Sequence, residues 1–103
     1  MRRIITRKRL RQYAARYPGA RASLETWEKR TLAATWRCTA DVRKTFPDVD
    51  PVKVASGKIV HVFNIQRNEH RLVVALHFNT GMVWVLRIMT HREYGRNVWK
   101  DQL

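Results

Sequence analysis

Side chains that can bind a phosphate and transfer protons lie close together between Met89 and Trp99, where the sequence reads MTHREYGRNVW. His91 and Tyr94 can donate and accept protons, whereas the two nearby arginines only stabilise negative charge. The stretch follows a run of apolar residues typical of a buried strand. It therefore predicts a site at the end of a strand, with two proton-transfer groups among cations.

Two further arginines are placed by a predicted hairpin. Residues 71–78 (RLVVALHF) and 82–89 (MVWVLRIM) flank the sequence NTG, which suits a three-residue loop. If the first strand ends opposite the start of the second, Arg71 and Arg87 share one face, a diagonal step apart. The even-numbered positions then form the apolar face, namely Leu72, Val74, Leu76, Phe78, Met82, Trp84, Leu86 and Ile88.

An earlier strand, residues 58–65, joins this sheet through the turn that follows it. Pairing its last residue with residue 70 places Asn64 across from Arg71. His61 then falls on the apolar face, where a core histidine is more common than a metal ligand. The apolar positions expected on that face are Ile59, Phe63 and Ile65.

Together these side chains suit cleavage of RNA. Attack of a ribose 2'-hydroxyl on the adjacent phosphate needs a base, an acid near the leaving 5'-oxygen, and cations for the developing charge. The candidates are His91, Tyr94, Arg71 and Arg87, and the division of base and acid between the first two stays open. The scheme requires no metal and no cofactor, and the four histidines lack metal-ligand spacing.

Helices must pack on the apolar face of this sheet. Residues 6–17 carry an apolar stripe at helical spacing, a second helix is expected over 20–36, and a short one after Thr39 ends at Phe46. The stretch from Pro47 to Gly57 reads as loop. The tryptophans expected in the core are Trp27, Trp36 and Trp84.

The predicted architecture is α+β, with N-terminal helices packed on one face of a small antiparallel β-sheet of three strands, a shallow basic face on its other side, and a short C-terminal helix or tail. Length fits a single domain, 1–103. Within it, 1–47 form the helical part, 57–89 the antiparallel strands, and 90–103 the C-terminal catalytic segment.

The net charge points to a polyanionic partner. Lys and Arg total 21 against 8 Asp and Glu, a formal charge of +13, while 45% hydrophobic content favours a folded chain. The first 21 residues hold no acid, so the first helix is expected to contact RNA. A single cysteine, Cys38, and the lack of a long apolar run favour a cytoplasmic protein without a membrane span.

Several segments recur in a known combination: FP at 46–47, VFNI at 62–65, RNEHRL at 67–72 and THREY at 90–94, with IITRKRL at 4–10 and ATW at 34–36. Together they resemble the HigB-type toxins of bacterial toxin–antitoxin modules, relatives of the RelE endoribonucleases. The similarity extends over nearly the whole chain and implies a RelE-like fold.

The resemblance implies a ribosome-dependent mRNA interferase that cuts codons in the A site, inhibits translation, and is neutralised by a helix-turn-helix antitoxin. Its expected partners are mRNA, the rRNA of the ribosome and that antitoxin. By position, Arg71 matches the strand arginine of the family, while His91 and Tyr94 match its T-H-x-E-Y signature. Expected contacts to RNA or the ribosome are Arg67, Lys58, Arg92, Arg96, Arg7, Lys8 and Arg11.

The chain departs from the family pattern in two segments. The family usually places Asp after the signature tyrosine, where this chain has Gly95, and it often has G-N-K-Y-R-L where this chain has Arg67 and His70. An acid that would orient a catalytic group is therefore absent at position 95.

Plainer explanations exist for the same residues. His91 fits a loop or helix cap, and Tyr94 fits packing against the sheet. Arg67 suits contact with the antitoxin or ribosome as well as with the scissile phosphate. The charge alone fits a non-catalytic RNA-binding or ribosome-associated protein, and a basic face that docks another protein is a third interpretation.

Overall fold

The computed structural model describes residues 1–103 and confirms the α+β class. A turn of 3₁₀ helix, Pro18–Ala20, separates the first two helices, and no helix is both long and apolar enough to cross a membrane. In chain order the elements are β1 (Arg3–Ile5), α1 (Arg7–Arg16), α2 (Arg21–Ala33), α3 (Thr39–Thr45), β2 (Asp50–Lys53), β3 (Ile59–Ile65), β4 (His70–His77), β5 (Met82–Thr90), α4 (His91–Gly95) and α5 (Val98–Gln102).

The sheet has five strands in the order β1-β5-β4-β3-β2, so the prediction of a three-stranded, purely antiparallel sheet is wrong at both edges. β1 pairs in parallel with β5, and β2 pairs antiparallel with β3 in the stretch interpreted as loop. β1 has only three residues, too few to show alternation. β2 contains Pro51, which is compatible with an edge strand but hides it from pattern analysis.

The N-terminal helices pack on one face of the sheet, as predicted, and we call this the helical face. Its centre is aromatic: Phe63 is 1% exposed and lies 5.5 Å from Trp27 and 6.3 Å from Trp36 between ring centroids. His61 is buried among these residues, as expected, and its Nε2 shares a 2.8 Å hydrogen bond with the hydroxyl of Thr39. Ile59, in contrast, is 52% exposed at the start of β3 and adds little to the core.

A β-bulge changes the predicted hairpin register. Arg71 pairs with Met89 and Val73 with Arg87, as expected, but the register shifts between Val73 and Val74, so Val74 pairs with Val85. β5 therefore has one more residue than β4 at this point. The side chains in the first half of β5 point to the face opposite to the one predicted. The side chains predicted to face the helices from this half, Met82, Trp84 and Leu86, face the other way, and Val83 and Val85 are buried instead.

The opposite face of the sheet, which we call the outer face, was predicted to be a shallow basic surface. The structure shows a second apolar cluster there, formed by Val60, Val62, Val73 and Met89 under the ring of Trp99, which is 4% exposed. The C-terminal helices α4 and α5 supply this cover. The predicted basic face is therefore half covered, and the open remainder lies toward the hairpin end of β4 and β5.

Candidate active site

The junction between β5 and α4 is held by a capping box. The hydroxyl of Thr90 accepts a hydrogen bond from the backbone N–H of Glu93 at 3.2 Å, and the Glu93 carboxylate accepts one from the Thr90 backbone at 3.4 Å. These bonds satisfy donors that a helix start leaves free. The strand therefore turns directly into a helix that begins with His91 and carries Tyr94 one turn later. The signal T-x-x-E was present in the sequence, but Thr90 and Glu93 were not predicted as positioning residues.

Arg71 is a buried cation without a carboxylate partner. Its side chain lies on the outer face, the residue is 9% exposed, and Nη1 donates to the carbonyl oxygens of Asn68 at 3.1 Å and His70 at 3.2 Å. The two ion pairs of the chain, Arg21 with Glu25 and Lys44 with Asp41, lie elsewhere at the surface. Burying a charge is costly unless it is paired or used. The remaining N–H groups of Arg71 make no hydrogen bond within the protein.

Tyr94 packs beside that guanidinium. The Arg71 Cζ lies 5.6 Å from the centre of the Tyr94 ring, and the Trp99 ring stacks on Tyr94 with centroids 5.1 Å apart. Burial raises the pKa of the Tyr94 hydroxyl, the carboxylate of Asp50 raises it further, and the charge of Arg71 opposes both. The phenol thus keeps its proton at neutral pH, so it can donate a proton but is a poor base.

His91 lies at the first position of α4 and is exposed. Its backbone N–H donates to the carbonyl of Glu69 at 2.9 Å, which fixes α4 to the β3–β4 turn, while its ring makes no hydrogen bond within the protein. The ring lines a cleft of about 540 Å³. Other residues that line this cleft are Arg16, Tyr17, Gln66, His70 and Arg92. The structure therefore brings Arg71 and Tyr94 into contact, whereas His91 faces a neighbouring cleft at the end of α1.

A partly buried hydrogen-bond chain supports the turn between β3 and β4. Tyr13 of α1 bonds through its hydroxyl to Nδ1 of His70 at 2.6 Å, and Nε2 of His70 bonds to the side chain of Gln66 at 3.1 Å. Burial lowers the pKa of His70, with Glu69 opposing, so the ring is neutral in this chain. The same turn carries Arg67 and the carbonyl acceptors of Arg71. His70, considered only as a departure from a family pattern, thus links the β3–β4 turn to α1.

Arg87 and Arg9 meet at the bulge. Nη1 of each donates to the carbonyl oxygen of Leu86 at 2.7 Å, so the two guanidinium groups lie close together without an acid between them. β1 ends opposite Trp84, which leaves this edge of β5 to α1. Arg9 was not among the predicted contacts, because helix periodicity does not show which cation reaches a strand carbonyl. The only sequence signal for Arg9 is its position next to Leu10 on a helix that contains no acidic residue.

The other predicted contacts lie in four places. Arg67 adopts a left-handed conformation (φ 60°) in the β3–β4 turn, and Arg92 and Arg96 are exposed at α4. Lys58 is exposed beside β3, where it lines a groove on the outer face. The contacts predicted on the first helix lie along one element on the helical side: Arg7, Lys8 and Arg11.

The donor set for a metal ion is sparse. No three His, Cys, Asp or Glu side chains are grouped closely enough to hold one. The candidate site thus offers proton-transfer groups and guanidinium groups as its reactive side chains.

Comparison with known proteins identifies the family to which this chain belongs. Residues 20–97 match the family described as HigB toxin, the RelE-like toxic component of a toxin–antitoxin system. The chain is 28% identical over 91 residues to the mRNA interferase toxin HigB of Escherichia coli K12, a match that covers 88% of this chain and 86% of that protein. Proteins named mRNA interferase HigB from Escherichia coli O157:H7 and Shigella flexneri match with the same identity and coverage. The family match spans most of the chain and confirms the resemblance, so this protein belongs to the HigB family of RelE-like toxins of toxin–antitoxin systems.

Proposed function

We propose that the protein is an mRNA interferase, an endoribonuclease that cleaves mRNA in the ribosomal A site and thereby inhibits translation. The observation that carries this proposal is Arg71, a buried guanidinium that has no carboxylate partner and touches the ring of Tyr94. A phosphate is the natural partner for such a group, since guanidinium donates two parallel hydrogen bonds to it. The names of the relatives, mRNA interferase, support the same activity.

In the proposed reaction the 2'-hydroxyl loses its proton to a base and its oxygen forms a bond to the adjacent phosphorus. The bond from phosphorus to the 5'-oxygen then breaks, and that oxygen takes a proton, which leaves a 2',3'-cyclic phosphate and a 5'-hydroxyl. Tyr94 suits the proton donor because its raised pKa keeps the phenol protonated. His91, exposed at the start of α4, is the candidate base. No metal takes part in this scheme.

Cations stabilise the charge that develops on the phosphate oxygens. Arg71 holds the phosphate from the buried side, and the pair of Arg87 and Arg9 offers a second set of guanidinium donors at the bulge. Because these donors are fixed by backbone carbonyls, they need little reorganisation when charge develops. They act as electrostatic residues and transfer no protons.

Ribosome dependence is proposed from the cations that lie away from this centre. Arg7, Lys8 and Arg11 form a helix surface that suits rRNA, while the exposed cations Arg67, Lys58, Arg92 and Arg96 suit mRNA or rRNA backbone. The antitoxin of the module is proposed to be a helix-turn-helix protein. Its mode of neutralisation is either to cover the site or to exclude the toxin from the ribosome.

The test is a reconstituted bacterial translation reaction on one defined mRNA, with RNA ends mapped. The wild-type protein is compared with Arg71→Ala, His91→Ala and Tyr94→Phe, with and without ribosomes, and Arg30→Ala serves as the control for loss of a surface cation. Codon-positioned cuts that need ribosomes and are lost in the three site variants support the proposal. Cuts of equal strength in all variants would refute the site assignment.

A second mRNA that carries a 2'-deoxynucleotide at the cut position tests the attacking group. Cleavage should stop at that position alone, and the normal product should carry a cyclic phosphate. Cleavage that continues at the deoxynucleotide would rule out 2'-hydroxyl attack.

A non-catalytic RNA-binding protein is the second candidate, favoured by the many cations that make no ion pair. It predicts salt-sensitive RNA binding with no new RNA ends.

A further inference from the structure

An open groove lies on the outer face, beyond the part that the C-terminal helices cover. Its volume is about 520 Å³, and its lining is largely apolar. The lining residues that matter here are Lys58, Val60, Ala75, His77, Trp84 and Leu86. This groove does not include Arg71, Tyr94 or His91, so it is distinct from the proposed catalytic centre.

The β-bulge is the reason that Trp84 lies in this groove. A regular hairpin would turn Trp84 toward the helices, but the extra residue in β5 turns it outward and leaves it 38% exposed. Val83 and Val85 fill the core in its place, at 0% and 3% exposure. A large aromatic side chain that is held at the surface in this way is available for contact with a ligand.

The surroundings of the Trp84 ring leave room for a flat ligand. Its partner across the sheet is Ala75, whose side chain is small, and the exposed ring of His77 lies 6.3 Å away at an angle of 46°. Two aromatic rings that are exposed and not parallel offer their faces to a third ring. Trp and His are side chains on which unpaired RNA bases stack.

The charge around the groove distinguishes a nucleic acid from an apolar peptide. No Asp or Glu side chain lines the groove, and Lys58 lies at its edge. Arg87 follows Trp84 by three residues, roughly 10 Å along the strand, and shares its carbonyl acceptor with Arg9. Aromatic rings next to a track of cations are typical of surfaces that bind single-stranded nucleic acid.

We propose that Trp84 and His77 form a base-stacking subsite for single-stranded RNA, one that binds a nucleotide next to the phosphate held by Arg87 and Arg9. The inference deepens the proposed function and rests on it, because it assigns a further contact to the same RNA substrate. A segment of a protein partner in the groove is the competing occupant.

The test measures binding without cleavage. A short, fluorescein-labelled single-stranded RNA with 2'-O-methyl groups cannot react through its 2'-oxygens, and its binding to the full chain is followed by fluorescence anisotropy. Trp84→Ala should weaken binding by about 30-fold, the middle of the range for loss of one stacked base. Trp84→Phe keeps a ring and should bind within about threefold of the wild type, whereas Trp84→Leu keeps apolar bulk alone and should bind like Trp84→Ala.

Leu32→Ala is the matched control, since Leu32 is 36% exposed on α2 and lies outside the groove. Thermal unfolding of each variant checks that the chain stays folded, and Trp84→Phe keeps the test open if Trp84→Ala unfolds. Binding by Trp84→Leu as tight as by Trp84→Phe would overturn stacking. So would wild-type protein that fails to bind this RNA.

The cleavage assay separates this inference from the proposed function. If the wild type binds the RNA through Trp84 but makes no cuts with ribosomes, the nuclease proposal fails and the stacking subsite stands. If cuts occur and Trp84→Ala binds RNA normally, the nuclease proposal stands and the subsite fails. If Trp84→Ala loses the antitoxin but not RNA, the groove belongs to a protein partner and the subsite also fails.

Discussion

The two faces of the sheet differ in the charge of their buried ionisable side chains. On the helical face the buried ionisable side chains are His61 and His70, and burial lowers the pKa of both, so the core there is neutral. On the outer face the buried ionisable side chain is Arg71, a guanidinium group. Both faces have an apolar cluster, but only the outer face keeps a cation within it.

This difference indicates that the helical face of this small domain serves mainly stability, whereas the outer face carries the candidate site. The helical face packs Trp27, Trp36 and Phe46 around Phe63 and buries no Arg, Lys, Asp or Glu side chain. The outer face, in contrast, buries the guanidinium of Arg71, which lowers the stability of the fold. We infer that the second arrangement persists because an anionic ligand completes it.

The largest effect expected is on the helical face. Phe63→Ala should lower the free energy of unfolding by about 3–5 kcal/mol, because it removes a ring at the centre of the aromatic core. Urea unfolding measures this change. Ile59→Ala, on the same strand but 52% exposed, should change stability by less than about 0.5 kcal/mol. Equal losses in the two variants would contradict the assigned core.

On the outer face the expected effect is on activity. Arg71→Ala should lower the cleavage rate by about 100-fold or more, while the lost bonds to two carbonyls cost about 1–3 kcal/mol of stability. Arg71→Lys keeps the charge but loses the planar pair of N–H donors. Its cleavage rate should lie between those of the wild type and Arg71→Ala. Single-turnover cleavage with ribosomes, together with urea unfolding, separates the two losses. A variant that loses stability but cleaves at the wild-type rate would show that the cation serves the fold alone.

The capping box should matter to both quantities. Thr90→Ala removes the hydroxyl that accepts the Glu93 N–H and should cost about 1 kcal/mol. Because α4 carries His91 and Tyr94, cleavage should fall more than this small loss of stability explains. Thr26→Ala, on the exposed side of α2, is the control and should leave both unchanged. Normal cleavage by Thr90→Ala would mean that the start of α4 needs no fixed geometry.

The neutral histidines of the helical face predict a dependence on pH. In the unfolded chain their pKa is about 6.5, and in the folded chain it is lower, so the unfolded chain binds more protons below that pH. The stability they contribute is complete above about pH 6.5 and is lost as the pH falls through the folded pKa values.

Urea unfolding at about pH 7.5 and about pH 5 measures this loss. His70→Gln should show a smaller loss than the wild type, whereas His77→Gln, exposed on the outer face, should behave like the wild type. An unchanged acid sensitivity in His70→Gln would remove His70 from this account.

The smallest effect concerns Gly95. A side chain there meets no atom within 4 Å, so Gly95→Ala should stabilise the chain by less than about 1 kcal/mol. Gly95→Asp, which restores the acid usual in the family, should also fold. Comparison of their cleavage rates tests whether an acid at this position assists catalysis. A destabilised Gly95→Ala would contradict the open space around this residue.

The sequence predicted the parts of the fold whose patterns are long and regular. The main helices, the three central strands and the pairing of Arg71 with the strands on either side follow from periodicity. The edge strands do not, since β1 is very short and β2 begins with Asp-Pro. The bulge cannot be read from alternation either, because Trp84 and Val85 are both apolar and either can face the core.

The candidate site shows the same division. His91, Tyr94 and Arg71 were predicted from residue types and a family pattern, but the contact between Arg71 and Tyr94 depends on where α4 turns. Arg9 was not predicted, because its hydrogen bond to the Leu86 carbonyl joins residues that are far apart in the sequence. The capping box of Thr90 and Glu93 was visible in the sequence and could have predicted that turn.

The parallel pairing of β1 with β5 also sets an order of assembly during synthesis. β1 and the N-terminal helices leave the ribosome early, but their partner strand is made only after the other three strands. Contacts that span so much of the chain form late and slowly. A partly made toxin therefore holds a basic helix without the sheet that places Arg9 beside Arg87. This topology delays the proposed RNA-binding surface until β5 has been made.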